Sequence, residues 1–283
     1  MNSIRLILKP PVPYNLVSTI LSHGWINLSP FQYNSKEAVL SRFERIIDLS
    51  EPIQIQINQP NKNSVALNLF SEEKLKKEHV NEIKTRVGRI LSFDQDNGEL
   101  LSVARLLNSE VPTYLKQGGG RLLRSSSLYE DVVKTLFTTN ASWSFTKQMV
   151  HNYVQLSTSS QTFPDPDELY NLTELDFRKL VKCGYRARYL KVIIEYFKDD
   201  INRNEFLSNS LMGLGKYGMA HVNVMAGNFS DIPIDSEVRS YFEKEFSIRD
   251  DNSIHRRYRD WGPYKFLGYK LERHVKSKNW IGS

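Results

Sequence analysis

Two glycines form a pattern that can bind a phosphate group. Gly213 and Gly215 flank Leu214 between two segments with helical character, residues 206–211 and 217–226. Glycine permits positive φ, and a helix that begins directly after such a turn exposes backbone amides that attract an anion. A Gly-x-Gly between helices is more often only a turn, so both interpretations stay open on this motif alone.

Asp235 follows Gly215 by twenty residues, within the segment Ile232-Pro233-Ile234-Asp235. It precedes a helical run in which Val238 and Phe242 share one face, which is typical of a helix N-cap. Capping is the commoner role for such a residue. A cap and a catalytic carboxylate do not exclude each other.

The pairing of Gly213-Leu214-Gly215 with Pro233-Ile234-Asp235 resembles the signature of the helix-hairpin-helix (HhH-GPD) superfamily of DNA glycosylases, enzymes of base excision repair. Residues 184–189, Gly-Tyr-Arg-Ala-Arg-Tyr, are similar to a stretch of the 8-oxoguanine DNA glycosylases. The resemblance is strongest over residues 117–270. It implies that the partner is double-stranded DNA containing a damaged base.

The same resemblance assigns roles to individual residues. It implies that Tyr185 wedges into the duplex, that Arg186 contacts the orphaned base and that Asn140 fills the gap left by the flipped nucleotide. Gly213, Gly215 and Lys216 are expected to contact the DNA backbone at the hairpin, and Asp235 is expected to be the catalytic carboxylate. A glycosylase must flip its target nucleotide, because the sugar–base bond is out of reach in a stacked duplex. Positive charge then grows on the deoxyribose, and a carboxylate stabilises that charge and orients or deprotonates the attacking water.

Position 217 bears on whether the DNA strand is also cut. In bifunctional members of the superfamily, the second residue after the Gly-x-Gly is a lysine that attacks the sugar carbon. Here that residue is Tyr217, and Lys216 stands one position earlier, a step that rotates a side chain by about 100° around a helix. We therefore expect a monofunctional DNA N-glycosylase without AP-lyase activity. Tyr217 is expected either to stack against the flipped base or to pack within the protein.

The expected substrate is an alkylated or an oxidised purine. Residues 184–189 favour the oxidised-guanine branch of the superfamily. The tyrosine at position 217 favours the alkylated-base branch, and so does Trp261-Gly262-Pro263-Tyr264, which is similar to a segment of bacterial alkylpurine glycosylases such as 3-methyladenine DNA glycosylase II. Trp143 and Phe145 are either stacking residues of a base pocket or aromatic residues of a helix core.

The elements that must position these residues predict an α+β protein. We expect a small N-terminal domain with an antiparallel sheet, residues 1–85, followed by an all-α helix-hairpin-helix glycosylase domain, residues 86–283. Residues 53–57 and 65–70 alternate at period two across a turn-rich segment, which predicts a β-hairpin. Helices are predicted from Ser71 towards Leu91, after a capping box at Ser127 and Glu130, and after the cap at Asp165. Gly118-Gly119-Gly120 is expected to be a flexible joint.

Composition limits the cofactors and the compartment. The chain has 283 residues, of which 40% are hydrophobic and 25% charged, as in ordinary globular proteins. A single cysteine, Cys183, excludes an internal disulfide, a four-thiolate zinc site and an iron–sulfur cluster, so no metal or cofactor is expected. The sequence contains neither a long apolar run nor a signal-peptide pattern. We expect an intracellular monomer without a membrane role, in the cytoplasm or nucleoid if the source is bacterial.

A second class of function remains open. Residues 256–283 contain eight basic and two acidic residues, which equals the net charge of +6 of the whole chain. Such a basic segment suits a phosphate backbone, although it is also common on solvated helix faces. The alternative is therefore a non-catalytic DNA-binding module that recognises distorted duplex. A nuclease is less consistent with the sequence, because no acidic cluster with metal-ligand spacing accompanies the hairpin.

Overall fold

The computed structural model describes residues 1–208 and 211–277, and their fold class is α+β as predicted. Five strands are described: β1 (Asn2–Leu8), β2 (Gln32–Asn34), β3 (Val39–Glu44), β4 (Ile53–Asn61) and β5 (Ser64–Ser71). They form one antiparallel sheet in the order β1-β5-β4-β3-β2. The predicted hairpin is confirmed as the β4–β5 pair, in which Ile57 stands opposite Leu67.

The sheet is amphipathic because its side chains alternate between two faces. Ile53, Ile55 and Ile57 of β4 are at most 1% exposed, whereas the intervening Gln54 and Gln56 are half-buried. The neighbouring strand β5 is buried over residues 64–67, as expected for an inner strand of the sheet.

The described helices follow in chain order. They are α1 (Leu16–Ile20), α2 (Lys77–Ile90), α3 (Gly98–Leu107), α4 (Val111–Lys116), α5 (Leu128–Thr138), α6 (Trp143–Val154), α7 (Pro166–Leu169), α8 (Glu174–Leu180), α9 (Arg186–Phe197), α10 (Lys216–Met225), α11 (Ser236–Phe246), α12 (Asp251–Arg257) and α13 (Lys265–Lys276). Short 3₁₀ segments occupy Gly24–Asn27, Glu205–Ser208 and Arg259–Tyr264. In the described part of the chain, no helix has both the length and the apolar character required to cross a membrane.

Two compact units are formed by segments that are not continuous in sequence. The first contains Met1–Asp94 and Arg121–Asn204, and the second contains Gln95–Gly120 and the described residues from Glu205 onward. The expected division between residues 85 and 86 lies inside α2, so the compact units and the expected domains follow different boundaries.

A buried ion cluster joins β3 to α5 in the first unit. Arg42 Nη2 lies 2.9 Å from Glu130 Oε2, and Lys134 Nζ lies 2.6 Å from Glu130 Oε1, with all three side chains at most 1% exposed. Burial alone raises the pKa of Glu130, but the two cations outweigh it and lower that pKa to about 2.

The capping box predicted at Ser127 and Glu130 is half correct. The Ser127 hydroxyl accepts a hydrogen bond from the Glu130 amide, whereas the Glu130 carboxylate pairs with the cations.

Two further predictions about the elements are wrong. Helix α2 begins at Lys77 rather than at Ser71, because Ser71 ends β5 and stands opposite Asn2 of β1. Residues 118–120 are buried, and a Cβ atom on Gly119 would collide with the ring of Tyr114. The triple glycine is thus a tightly packed turn, in which Gly118 and Gly120 both adopt a φ of 90°.

Candidate functional site

The hairpin turn leads directly into α10. Gly213 has a φ of 95°, the Leu214 amide donates to the Leu211 carbonyl at 3.1 Å, and Gly215 is the N-cap residue of α10. Among the described residues no side chain caps this helix, and a Cβ atom built on Gly215 would meet open space. The first amides of α10 are therefore open to an anion, as the motif predicts. Of the predicted preceding helix, residues 206–208 lie in a 3₁₀ turn, Leu211 is not helical, and residues 209 and 210 lie outside the described part.

The two residues after the hairpin differ in their surroundings. Lys216 is exposed at the first position of α10. Tyr217 is half-buried, and its ring stacks on that of His221 one turn later, with 5.9 Å between ring centroids. Of the two roles expected for Tyr217, packing within the protein is therefore present in this structure.

Asp235 is the N-cap of α11, and this part of the prediction is confirmed. Its Oδ1 accepts a hydrogen bond from the Val238 amide at 2.8 Å, and Val238 and Phe242 are both buried. The second carboxylate oxygen has no hydrogen-bond partner within the described residues. The nearby Arg239 pairs with Asp251 through both Nε and Nη2, each at 2.9 Å, and so does not pair with Asp235. The half-buried carboxylate thus keeps one oxygen available.

In the first unit, Asn140 and Tyr185 are in contact. Tyr185 precedes α9 and is 46% exposed, and its hydroxyl accepts a hydrogen bond from Asn140 Nδ2 at 3.4 Å. Partial burial raises the pKa of Tyr185, but hydrogen bonds with Asn140 and Thr139 and the charge of Arg186 outweigh it and lower that pKa. Asn140 has a φ of 46°, a conformation that asparagine tolerates better than most residues. The structure therefore brings together an exposed aromatic ring and an exposed amide.

Arg186 is buried and contacts both Asn140 and Tyr185. Its side chain is buried, and its Nη2 donates to the carbonyl oxygens of Thr139 and, at 3.1 Å, of Asn140. The guanidinium also lies 4.7 Å from the centroid of the Tyr185 ring and 5.8 Å from that of Phe145. In this structure Arg186 therefore holds the Asn140 loop, and contact with an orphaned base remains a prediction.

Arg188 is an exposed cation that the sequence interpretation missed. It belongs to the same Arg-x-Arg stretch, and its guanidinium lies 4.6 Å from the centroid of the Tyr189 ring. Tyr189 in turn meets Tyr185 edge to face at 6.2 Å. The two arginines of the Arg-x-Arg stretch could have indicated a second candidate cation. Only the fold shows that Arg188, and not Arg186, is exposed to solvent.

Trp143 and Phe145 are not core residues. They lie in the first turn of α6, capped by Ser142, and are 41% and 39% exposed. The Trp143 ring packs against Gly24, where an added Cβ would lie 3.1 Å from Cη2 of the indole. Gly24 lines a cavity of about 470 Å³ formed by residues 21–33, which also includes His23, Phe31 and Tyr33. Phe145 instead faces Arg186, so the two predicted pocket aromatics have different neighbours.

The described residues contain no cluster of three or more His, Cys, Asp or Glu side chains arranged to hold a metal ion. Cys183 is buried in the first unit, and burial raises the pKa of its thiol to about 11. The thiol is therefore a poor nucleophile or ligand at neutral pH. The chemistry that the described site offers rests on carboxylate, amide, hydroxyl and cationic groups.

No protein-family model matches the sequence, and no curated protein is significantly similar to it. Solved structures do match. A 3-methyladenine DNA glycosylase from Archaeoglobus fulgidus superposes with a TM-score of 0.70 at 14% identity, over 97% of this chain and 99% of that chain. The 8-oxoguanine glycosylase/lyase of Clostridium acetobutylicum in its apo-form gives a TM-score of 0.67 at 14% identity, over 94% of both chains. The same enzyme with double-stranded DNA containing cytosine opposite 8-oxoguanine gives a TM-score of 0.65. The chain therefore shares its fold with these DNA glycosylases, which confirms the resemblance at the level of the fold.

Proposed function

We propose that this protein is a DNA glycosylase of base excision repair, which flips a damaged purine out of duplex DNA and hydrolyses its N-glycosidic bond. The observation that carries the proposal is the Asp235 carboxylate, which caps α11 with one oxygen and keeps the other available. The chain also shares its fold with a 3-methyladenine DNA glycosylase and with an 8-oxoguanine glycosylase/lyase.

In the proposed reaction, Asp235 acts where positive charge develops. As the bond from C1′ to the base nitrogen breaks, its electron pair leaves with the base, and C1′ becomes cationic. The available oxygen of Asp235 stabilises that charge and orients a water molecule, whose oxygen bonds to C1′. One proton of that water passes to the carboxylate, and the released base takes up one proton in exchange, so that the products are a neutral base and an abasic sugar. Fixation of the carboxylate by the Val238 amide at 2.8 Å reduces the reorganisation needed during the reaction.

Binding is assigned to the two groups of residues already described. Gly213, Gly215 and Lys216 provide open amides and an exposed cation for a DNA phosphate. Tyr185 and Asn140 are of suitable size and polarity to fill the space that an everted nucleotide leaves. Tyr217 occupies the lysine position of bifunctional enzymes, so we propose a monofunctional enzyme. The substrate is proposed to be an alkylated or oxidised purine.

Duplex oligonucleotides that carry alkylated, deaminated or oxidised bases test this function. Each duplex is incubated with the protein, and strand breaks are measured with and without alkali. We expect breaks only after alkali, because hydrolysis leaves an intact strand with an abasic site. Breaks without alkali contradict the monofunctional proposal. Salt-dependent binding with no abasic product from any duplex supports the alternative, a non-catalytic module for distorted DNA.

A further inference from the structure

Helix α13 places cations beside the end of α11 that Asp235 caps. Arg273 Nη2 lies 2.7 Å from Glu237 Oε1, and Glu237 is only two residues from Asp235. Arg273 Nη1 also donates to the Tyr269 hydroxyl at 2.8 Å, and the Tyr269 ring packs on Phe242 with 5.6 Å between centroids. The turn of α13 from residue 269 to residue 273 therefore lies against the first turns of α11.

Lys270 lies within this turn and has no anionic partner. Its side chain is half-buried, its amine lies 5.6 Å from the centroid of the Phe266 ring, and it forms no ion pair or hydrogen bond with the described residues. Burial, together with the charge of Arg273, lowers the pKa of Lys270 to about 8, against the opposing effect of Glu237. A partly desolvated ammonium group without an acceptor is unfavourable, and a ligand atom that accepts its hydrogen bond relieves that cost.

Two aromatic rings near this turn of α13 already have a cationic side chain over one face. Lys270 lies over Phe266, and the Arg273 guanidinium lies 4.8 Å from the centroid of the Tyr241 ring. A positively charged base binds well where it stacks on an electron-rich ring without a competing cation. Here such a base would instead meet the unpaired charge of Lys270, whereas the charge of Arg273 is balanced by Glu237. The surroundings of α13 thus disfavour a cationic ligand.

The other charged groups around Lys270 are few. On α13 itself, His274 follows one turn later, and burial and Lys270 lower its pKa. From α11, Glu237 faces the turn. Glu272, also on α13, accepts a hydrogen bond from Asn108 Nδ2 at 3.4 Å, and Lys276 pairs with Glu245 of α11 at 2.6 Å. Two further contacts of α13 are made by rings, because Tyr114 of α4 contacts the His274 ring at 4.6 Å and Trp261 packs on Gly268.

We propose that Lys270 makes the active site selective for a neutral oxidised purine with an exposed acceptor atom and disfavours cationic N-alkylated purines. This inference rests on the proposed glycosylase function and chooses between its two substrate classes. The protonated amine donates a hydrogen bond to a ring nitrogen or carbonyl oxygen of the flipped base. That bond strengthens as the electron pair of the glycosidic bond moves onto the base, so it favours the transition state over the bound substrate.

Single-turnover base release from two matched duplexes tests the proposal. One duplex carries neutral 8-oxoguanine and the other carries cationic 7-methylguanine at the same position. We expect the wild type to release the neutral base about tenfold faster, relative to each base's spontaneous rate, and Lys270→Met to remove that difference by slowing neutral release. Lys276→Met is the control, because Lys276 lies on the same helix but pairs with Glu245 at 2.6 Å. Neutral release by the wild type should also decline as the pH rises through about 8, and this decline should be absent in Lys270→Met.

Binding to uncleavable duplexes separates this inference from the proposed function. The same two bases on 2′-fluoroarabinose resist hydrolysis, so their dissociation constants can be measured even if no base is ever released. Absence of release from every substrate overturns the glycosylase function, while tighter binding of the neutral duplex, lost in Lys270→Met, still supports the role of Lys270. A preference for the cationic duplex, or a preference that Lys270→Met leaves unchanged, overturns the inference.

Discussion

The guanidinium of Arg186 donates a hydrogen bond to the carbonyl oxygen of Asn140 at 3.1 Å, across 46 positions of sequence. Asn140 also donates a hydrogen bond from its side-chain Nδ2 to the Tyr185 hydroxyl at 3.4 Å. Because Asn140 is exposed and adopts a φ of 46°, its position depends on these two neighbours. The residues proposed to fill the duplex gap are thus held in place by a buried arginine.

Loss of Arg186 should weaken both the fold and DNA binding. Arg186→Met removes the donors to Thr139 and Asn140, and we expect it to lower the free energy of unfolding by about 2–3 kcal/mol. The affinity for a duplex with an abasic site should also fall. Arg188→Met is the matched variant, since Arg188 is exposed. It should leave thermal unfolding unchanged and reduce the salt dependence of binding by about one counterion. Equal effects of the two substitutions would contradict the role of Arg186.

Tyr185 should affect base flipping without affecting folding. The side chain is 46% exposed, so Tyr185→Ala removes little packing. We expect a large loss of the fluorescence change that a 2-aminopurine beside the lesion shows when the duplex is distorted. Tyr185→Phe keeps the ring and loses only the hydroxyl contact with Asn140, so it should retain most of that signal. A normal signal from Tyr185→Ala would rule out the wedge.

Asp235 should be essential for base release but replaceable as a cap. Asparagine caps helices as well as aspartate does, so Asp235→Asn should fold normally and release base at least about 100-fold more slowly. Asp235→Ala should lose activity to a similar extent and, in addition, about 1 kcal/mol of stability through loss of the cap. Single-turnover rates and chemical unfolding measure the two effects. Full base release by Asp235→Asn would exclude the proposed mechanism.

The two hairpin glycines should respond differently to alanine. Gly213 has a φ of 95°, so Gly213→Ala should destabilise the protein by about 1–2 kcal/mol. Gly215 has a φ of −73° and open space around a Cβ, so Gly215→Ala should fold with a loss below about 1 kcal/mol. Its methyl group would nevertheless stand where a phosphate approaches the amides of α10, and DNA affinity should fall about tenfold, or roughly 1.4 kcal/mol. Unchanged affinity in Gly215→Ala would show that the hairpin does not bind DNA in this way.

The buried cluster around Glu130 should make stability depend on acid pH. The folded pKa of about 2 lies below the ordinary value of 4.5, so the stabilisation is complete above about pH 4.5 and is lost as the pH falls towards 2. Glu130→Gln leaves Lys134 buried without its ion-pair partner, while Arg42 keeps its ion pair with Glu44 at 2.6 Å, and we expect the substitution to cost about 3–5 kcal/mol. The exposed pair Arg178–Glu174 supplies the control, because Glu174→Gln should have little effect. Urea unfolding between pH 2.5 and 7 measures both, and a Glu130→Gln protein as stable as the wild type would refute the assignment.

Sequence alone was sufficient where the decisive contacts are local. Asp235 and Ser127 cap helices, as predicted, because a capping side chain binds an amide three residues away. The β4–β5 hairpin could also be predicted, from the alternating isoleucines and the turn residues of the sequence. The order of the motifs also predicted a DNA-glycosylase fold, and the chain shares its fold with solved DNA glycosylases at 14% identity.

Tertiary structure decided every property that depends on distant partners. Ser71 pairs with Asn2 in the sheet rather than opening a helix, and Arg186 is buried under Asn140 while Arg188 faces solvent. The position of Lys270 beside the first turns of α11 belongs to the same class, because Lys270 carries no motif and is placed there by the packing of α13. Burial and long-range pairing are set by the whole folded chain, and no short stretch of sequence contains that information.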